Sequence, residues 1–173
     1  KNPAESIGHW YNDVKNAGAD VIVVLSHNGN ADGGYGYGFT VEGDQTLARK
    51  LVQQGTPANL IIGGHSHTVP TAAQVVSGTT VVQAHYAGRK LGRADLVIDT
   101  ANNTASIKWT RIVVGTSDPT DAATTARVNV WAQDPAYQAQ INQVVGFSNV
   151  DLVRNYNGDN LVSDLVNDSI YND

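Results

Sequence analysis

Cysteine is missing from all 173 positions. That excludes disulfides and thiolate metal sites, so any metal must be held by His, Asp, Glu or Asn. Methionine is missing too, position 1 included, and the expectation is that the chain begins after processing or cleavage. Basic residues are scarce. Eleven Lys and Arg face 16 Asp and Glu, for a net charge of −5 and a pI near 5.4. A nucleic-acid surface is normally basic, so nucleic acid is not an expected partner. No apolar run approaches the ~20 residues of a membrane span. Lys1 to Val14 also lacks the apolar core of a signal peptide. Hydrophobic content is still 41%, enough to pack one domain or parts of two. Many Gly, Asn, Thr and Ala among few charges fit a secreted bacterial protein.

Two apolar runs each deliver histidine just past their last apolar residue. Val21-Ile22-Val23-Val24-Leu25 ends in Ser26-His27-Asn28-Gly29. Leu60-Ile61-Ile62 ends in Gly63-Gly64-His65-Ser66-His67-Thr68. Both read as short buried strands bounded by turn residues. In open α/β sheets, ligands collect outside the carboxyl ends of strands. Imidazole is the commonest protein ligand for zinc and similar divalent ions. Three imidazoles at two strand ends therefore point to a metal site. Residues two apart on an extended segment share a side, so His65 and His67 could reach one metal or two neighbouring metals. The plain alternative is a surface His-Ser-His loop. Gly63 and Gly64 remove side chains where the backbone must turn or pass close to a ligand.

Read in order, Lys1 to Ala19 is one helix and a turn, with Ile7, Trp10, Tyr11 and Val14 on one face and Gly18 ending it. Asn28 to Phe39 is a Gly-, Asn- and Tyr-rich loop from which Asn28, Tyr35 and Tyr37 could line a site. Glu42 to Gln54 reads as a helix with Leu47, Leu51 and Val52 inward, and Asn59 to Ile62 as the second strand. Ala73–Val76 and Thr79–Gln83 form a hairpin turning at Ser77-Gly78. Leu91–Asp99 and Ala105–Val114 alternate, and these four runs read as an antiparallel meander. Val128 to Val145 is a helix that Asp134-Pro135 starts or breaks, and Asp159 to Tyr171 is the last helix. Asp44 and Glu42 read as acids at a helix start, where they favour the macrodipole. Asp32 is the one loose carboxylate near the histidines. His9 reads as structural or surface, and His85 as a turn residue.

Four segments together resemble the 5′-nucleotidase family of calcineurin-like metallophosphatases. They are Ala19 through Gly29, Leu60 through Thr68 with its GHxH pattern, Val81-Val82-Gln83 through Leu91-Gly92-Arg93, and Leu152-Val153-Arg154 through Gly158-Asp159-Asn160-Leu161-Val162-Ser163-Asp164. Their order and spacing agree with the family over nearly the whole chain. The fold class this implies is α/β: the C-terminal half of an α/β/β/α two-sheet sandwich, followed by the start of a 5′-nucleotidase-type C-terminal domain. The implied division is 1–115 for the sandwich part, 116–145 for a linker and connecting helix, and 146–173 for the beginning of the next domain.

The resemblance also implies two divalent metal ions, zinc, manganese or similar. His27 and His65 would bind one and His67 the other. A hydroxide held between the metals would attack phosphorus in line. Asn28 and Gln83 would shape the site. The family's Asp-x-His, bridging-Asp and Asn-His segments do not occur in these residues, so no catalytic residue is assigned here. The expected partners are a nucleotide or other phosphate-ester substrate and the missing N-terminal half of the metallophosphatase domain. The implied location is secreted, periplasmic or cell-surface. A chain without that half is expected to be inactive alone, and insoluble or oligomeric, because sheet edges stay open. Within the family the activity could also be that of a 2′,3′-cyclic phosphodiesterase, a UDP-sugar hydrolase or a SoxB-like protein. Outside it, the competing classes are a non-catalytic metal-binding or interaction remnant and a mononuclear amidohydrolase using His-x-His.

Overall fold

A computed structural model of the chain describes residues 2–33, 40–102, 104–153 and 160–171. Tyr35, Tyr37 and the Arg154 to Asp159 part of the last motif lie outside the described residues. The described residues divide into two units, Lys1–Asp118 and Pro119–Asp173.

The first unit opens with helix α1, Pro3–Asn16. Asn2 caps it by accepting the Ala4 N–H at 3.0 Å, and Pro3 fills the first turn, where a missing N–H costs nothing. Gly18 follows its end at φ 95°, a backbone that glycine adopts without strain. Strand β1 is Val23–Leu25, helix α2 is Asp44–Gln53, and strand β2 is Leu60–Ile62. β1 and β2 run parallel, Val24 opposite Ile61, so β1–α2–β2 is a crossover unit. The hairpin β3 (Gln74–Val76) and β4 (Thr79–Val82) turns at Ser77 and Gly78, both at positive φ, as a two-residue hairpin turn requires. β4 lies parallel to β2, giving the order β1-β2-β4-β3. The core is where α2 covers this sheet. Leu47, Ala48 and Leu51 meet Val24, Ile61, Val81 and Ala4 of α1.

Strands β5 (Lys90–Asp99) and β6 (Thr104–Val113) form a second, two-stranded antiparallel sheet. Ala94, Leu96 and Ile98 lie opposite Trp109, Ile107 and Ala105, the alternation expected of them. The expected meander does not form. β4 pairs with β2 and β3, and β5 pairs with β6 in a separate sheet, because the all-buried β4 needs neighbours on both edges.

Three burial expectations fail. Val23 and Leu25 are exposed, so β1 is not a buried strand. Trp10 is 62% exposed although it stands on the apolar stripe of α1. Val52 turns outward at the end of α2. Ile7, Trp10, Val14, Val23 and Leu25 line an open apolar cleft beside β1, the outer strand of its sheet among the described residues.

The second unit holds helices α3 (Ala122–Ala132), α4 (Pro135–Ile141) and α5 (Leu161–Tyr171). What reads in sequence as one helix over 128–145 is two. Asp121 caps the first through the Thr124 N–H, and Asp134 caps the second through Tyr137, with Pro135 just inside. A proline there cannot continue the preceding helix but suits the first turn of a new one. These three helices carry no buried residue. No described helix is long and apolar enough to cross a membrane.

Candidate functional site

The two histidine-bearing loops leave the carboxyl ends of β1 and β2, which are parallel neighbours. Their proximity is therefore a consequence of strand pairing. The His27 and His65 rings meet edge to face with centroids 5.4 Å apart. Gly64 permits this approach, since a Cβ there would stand 2.7 Å from His27 Nδ1.

His67 goes elsewhere. Its ring stacks on Tyr86 at 4.6 Å, and His85 also lies against Tyr86 at 4.5 Å. The Arg89 guanidinium sits 4.5 Å from the same ring centre. The expectation that His65 and His67 share a side assumed extended backbone. Both instead have positive φ, 71° and 54°, so the chain turns at each of them. Among the described residues no group of three or more His, Asp or Glu converges closely enough to hold a metal ion.

Gln83, at the end of β4 and 1% exposed, holds the second loop. Its amide donates to the Gly64 carbonyl. Its oxygen accepts the Thr68 N–H and, at 3.1 Å, the Ser66 hydroxyl. One buried amide thus spans the whole 64–68 turn, where non-glycine residues at positive φ cost of order 1–3 kcal/mol each. Ser66 links the loops, because its oxygen accepts the Asn30 N–H at 3.0 Å. Asn28 is half-buried and donates its N–H to the Ser26 oxygen at 3.3 Å. Arg111 of β6 donates to the Pro70 carbonyl at 3.0 Å, so the second sheet steadies the exit from this turn.

The nearby carboxylates divide into two kinds. Exposed Asp32 accepts the Gly43 N–H at 2.8 Å and the Thr46 hydroxyl at 2.9 Å. It ties down the start of α2, and these two bonds hold its carboxyl below the usual range. A carboxyl lowered in the folded state stabilises above its unfolded pKa, and that stability is lost as pH falls through the folded value. Asp32→Ala is therefore expected to lower the melting temperature at pH 7 by about 2–4 °C. The difference should shrink in paired thermal melts as the pH falls through the acid range in which Asp32 takes up its proton.

Asp44 is the second kind, and reading the sequence missed it. It is wholly buried, with one oxygen accepting the Ser26 hydroxyl. Burial pushes its carboxyl up, opposed by that hydroxyl and by His27. An acid in the first turn of a helix is ordinary in sequence, and nothing local separates a buried one from a solvated one.

Two imidazoles at 5.4 Å, on a backbone that glycine keeps clear, suit a shared divalent ion. His67 is stacked on Tyr86 instead, away from this pair.

The chain is 33% identical over 96 residues to Protein UshA of Yersinia enterocolitica, an alignment covering 44% of this chain and 16% of that protein. No protein-family model matches it. Its backbone superposes on the crystal structure of a 5′-nucleotidase precursor from Thermus thermophilus with a TM-score of 0.60 and 25% identity. That match covers 88% of this chain and 30% of the other. A structure from Staphylococcus aureus with a provisional 5′-nucleotidase assignment, solved with α-ketoglutarate, gives a TM-score of 0.51 at 20% identity. It covers 77% of this chain and 26% of that one, and at such identity shows likeness of fold alone. The chain thus spans less than a third of the length of each of these proteins. The α/β fold with two sheets is that of the solved 5′-nucleotidases. In its motifs, its partial sequence likeness and its backbone, the chain is similar to proteins of the 5′-nucleotidase family.

Proposed function

We propose that this chain is part of a metal-dependent phosphoesterase that hydrolyses nucleotide phosphate esters. The observation that carries the reading is the His27–His65 pair, 5.4 Å apart at the ends of two parallel neighbouring strands. These two imidazoles would hold one divalent ion, and His67 would serve a second. Divalent ions at such a site act as Lewis acids toward a phosphoryl group and make water a better nucleophile at neutral pH.

The chain's own residues bind and orient. Gln83 keeps the 64–68 turn in one conformation, so that His65 faces His27 while His67 faces Tyr86. The Ser66–Asn30 bond fixes the spacing of the two loops. Tyr86, with Arg89 beside it, limits the orientations open to the His67 ring. A geometry held this way needs little reorganisation when an ion or substrate arrives.

The remaining ligands and the groups that read the substrate would come from residues outside this chain, in keeping with its short coverage of its relatives. The open outer edge of β1 and the apolar cleft beside it support a missing N-terminal half that adds strands there. A secreted, periplasmic or cell-surface location belongs to the same reading.

The test is phosphate release from AMP by the full-length protein, measured after exhaustive chelation and again after adding Zn²⁺ or Mn²⁺. Loss of hydrolysis on chelation and its return with metal is the expected result. Hydrolysis that persists with no bound metal, or no hydrolysis of any nucleotide ester under metal-replete conditions, overturns the reading.

A further inference from the structure

We propose that Asp44 is a positioning residue for His27: its buried carboxylate is the acceptor for the imidazole N–H that faces away from a bound divalent ion. This rests on the metal reading above.

Three observations meet at this residue. The first is an unmet acceptor. Asp44 is 0% exposed, yet its Oδ2 has no hydrogen-bond partner among the described residues. Leaving a buried acceptor unmet costs about 1–3 kcal/mol, and more for a charged group. A carboxylate kept in that condition needs a reason that the packing alone does not supply.

The second is the space behind the site, which the two glycines before the histidines divide. A Cβ on Gly63 would collide with Asp44 Oδ2, and one on Gly64 would stand 2.7 Å from His27 Nδ1. Consecutive residues of one turn therefore make room, one for the carboxylate and one for the imidazole. His27 is near enough for its charge to act on Asp44.

The third is that Asp44 grips the backbone on both sides of His27. Its Oδ1 accepts the Ser26 hydroxyl, and the Ser26 oxygen accepts the Asn28 N–H at 3.3 Å. The Asp44 N–H in turn donates to the Gly29 carbonyl at 2.7 Å. Metal-bound histidines almost always donate their second ring N–H to a carboxylate, a carbonyl or water. Here the carboxylate with a free oxygen is already in place, held by α2 rather than by the loop it serves.

The test is Asp44→Asn in the full-length protein, with Zn²⁺ affinity read by chelator competition. Asparagine keeps the volume and an oxygen for the Ser26 hydroxyl, but it removes the charge. The expected result is Zn²⁺ binding weakened about 10–100-fold, with the metal-free melting temperature within about 3 °C of the unmodified protein. Nitrogen-15 spectra of the zinc-loaded protein should show the His27 ring proton on one nitrogen in the unmodified chain and a changed ring pattern in the variant. If Asp44 only tethers Ser26, Asp44→Asn binds Zn²⁺ as tightly as the unmodified protein, and the proposal is overturned. It is equally overturned if affinity falls only in step with a large loss of melting temperature. If the unmodified protein does not bind Zn²⁺ and His27→Ala changes nothing, the metal reading itself fails and takes this proposal with it.

Discussion

Replacing His65 with alanine in the full-length protein is expected to lower turnover of phosphate-ester hydrolysis by more than about 100-fold while KM changes less than about threefold. The reason is division of labour. His65 lies beside His27, where the two would share one ion. Outer-shell partners of a metal site are typically worth about 10–100-fold, so loss of a ligand should cost at least that much. A loss of about 100-fold corresponds to about 2.7 kcal/mol of transition-state stabilisation. His65 has φ 71°, where histidine is commoner than alanine, so the metal-free melting temperature of the variant is measured beside its turnover to separate strain from lost ligation. Steady-state kinetics beside metal content decides the matter. Full metal occupancy with unchanged turnover would remove His65 from the site.

Gln83→Leu should show the largest loss of stability of any single change near the site. The side chain is 1% exposed and meets three partners in one turn, Gly64, Ser66 and Thr68. Leucine fills similar space but satisfies none of them. Each of these half-buried partners left unmet costs at most about 1–3 kcal/mol, and Ser66 keeps its contact with Thr68 as partial relief. A net destabilisation of about 2–4 kcal/mol follows. The released turn would also let His65 and His67 leave positive φ, so affinity for Zn²⁺ should fall more than about tenfold even in the folded fraction. Urea denaturation and chelator competition measure the two effects separately. A variant that melts like the unmodified protein would show that Gln83 does not hold the loop.

The stretches richest in local signal are the ones legible in sequence. Apolar runs closed by Gly and His announce β1 and β2, and Ser77-Gly78 announces the β3–β4 turn. The stripe of α1 is visible too, but its burial is not. Periodicity says which residues share a face, and a face without a covering layer stays exposed, as Trp10 and Val14 do. The helix read over 128–145 is divided at Asp134-Pro135, the break or start that its sequence allowed, and here that pair is both.

The site divides along the same line. His27, His65 and the glycines before His65 are local patterns that sequence alone determined. Which histidines meet depends on the backbone dihedrals of the 64–68 turn. Gln83 holds those dihedrals, reaching back to Ser66 from the end of β4, 17 positions later in the chain. The family resemblance names Gln83 as site-shaping, but no local pattern says that it holds the turn through Gly64, Ser66 and Thr68.

Only the tertiary structure could decide that, and it decided Asp44 as well. A first-turn acid becomes a buried carboxylate behind His27 because α2 lays its N-terminus across the ends of β1 and β2. Residue types and their spacing determined which chemistry this chain can offer. Strand pairing and helix packing decided which of those groups meet, because contacts between distant segments leave no periodic trace in the sequence.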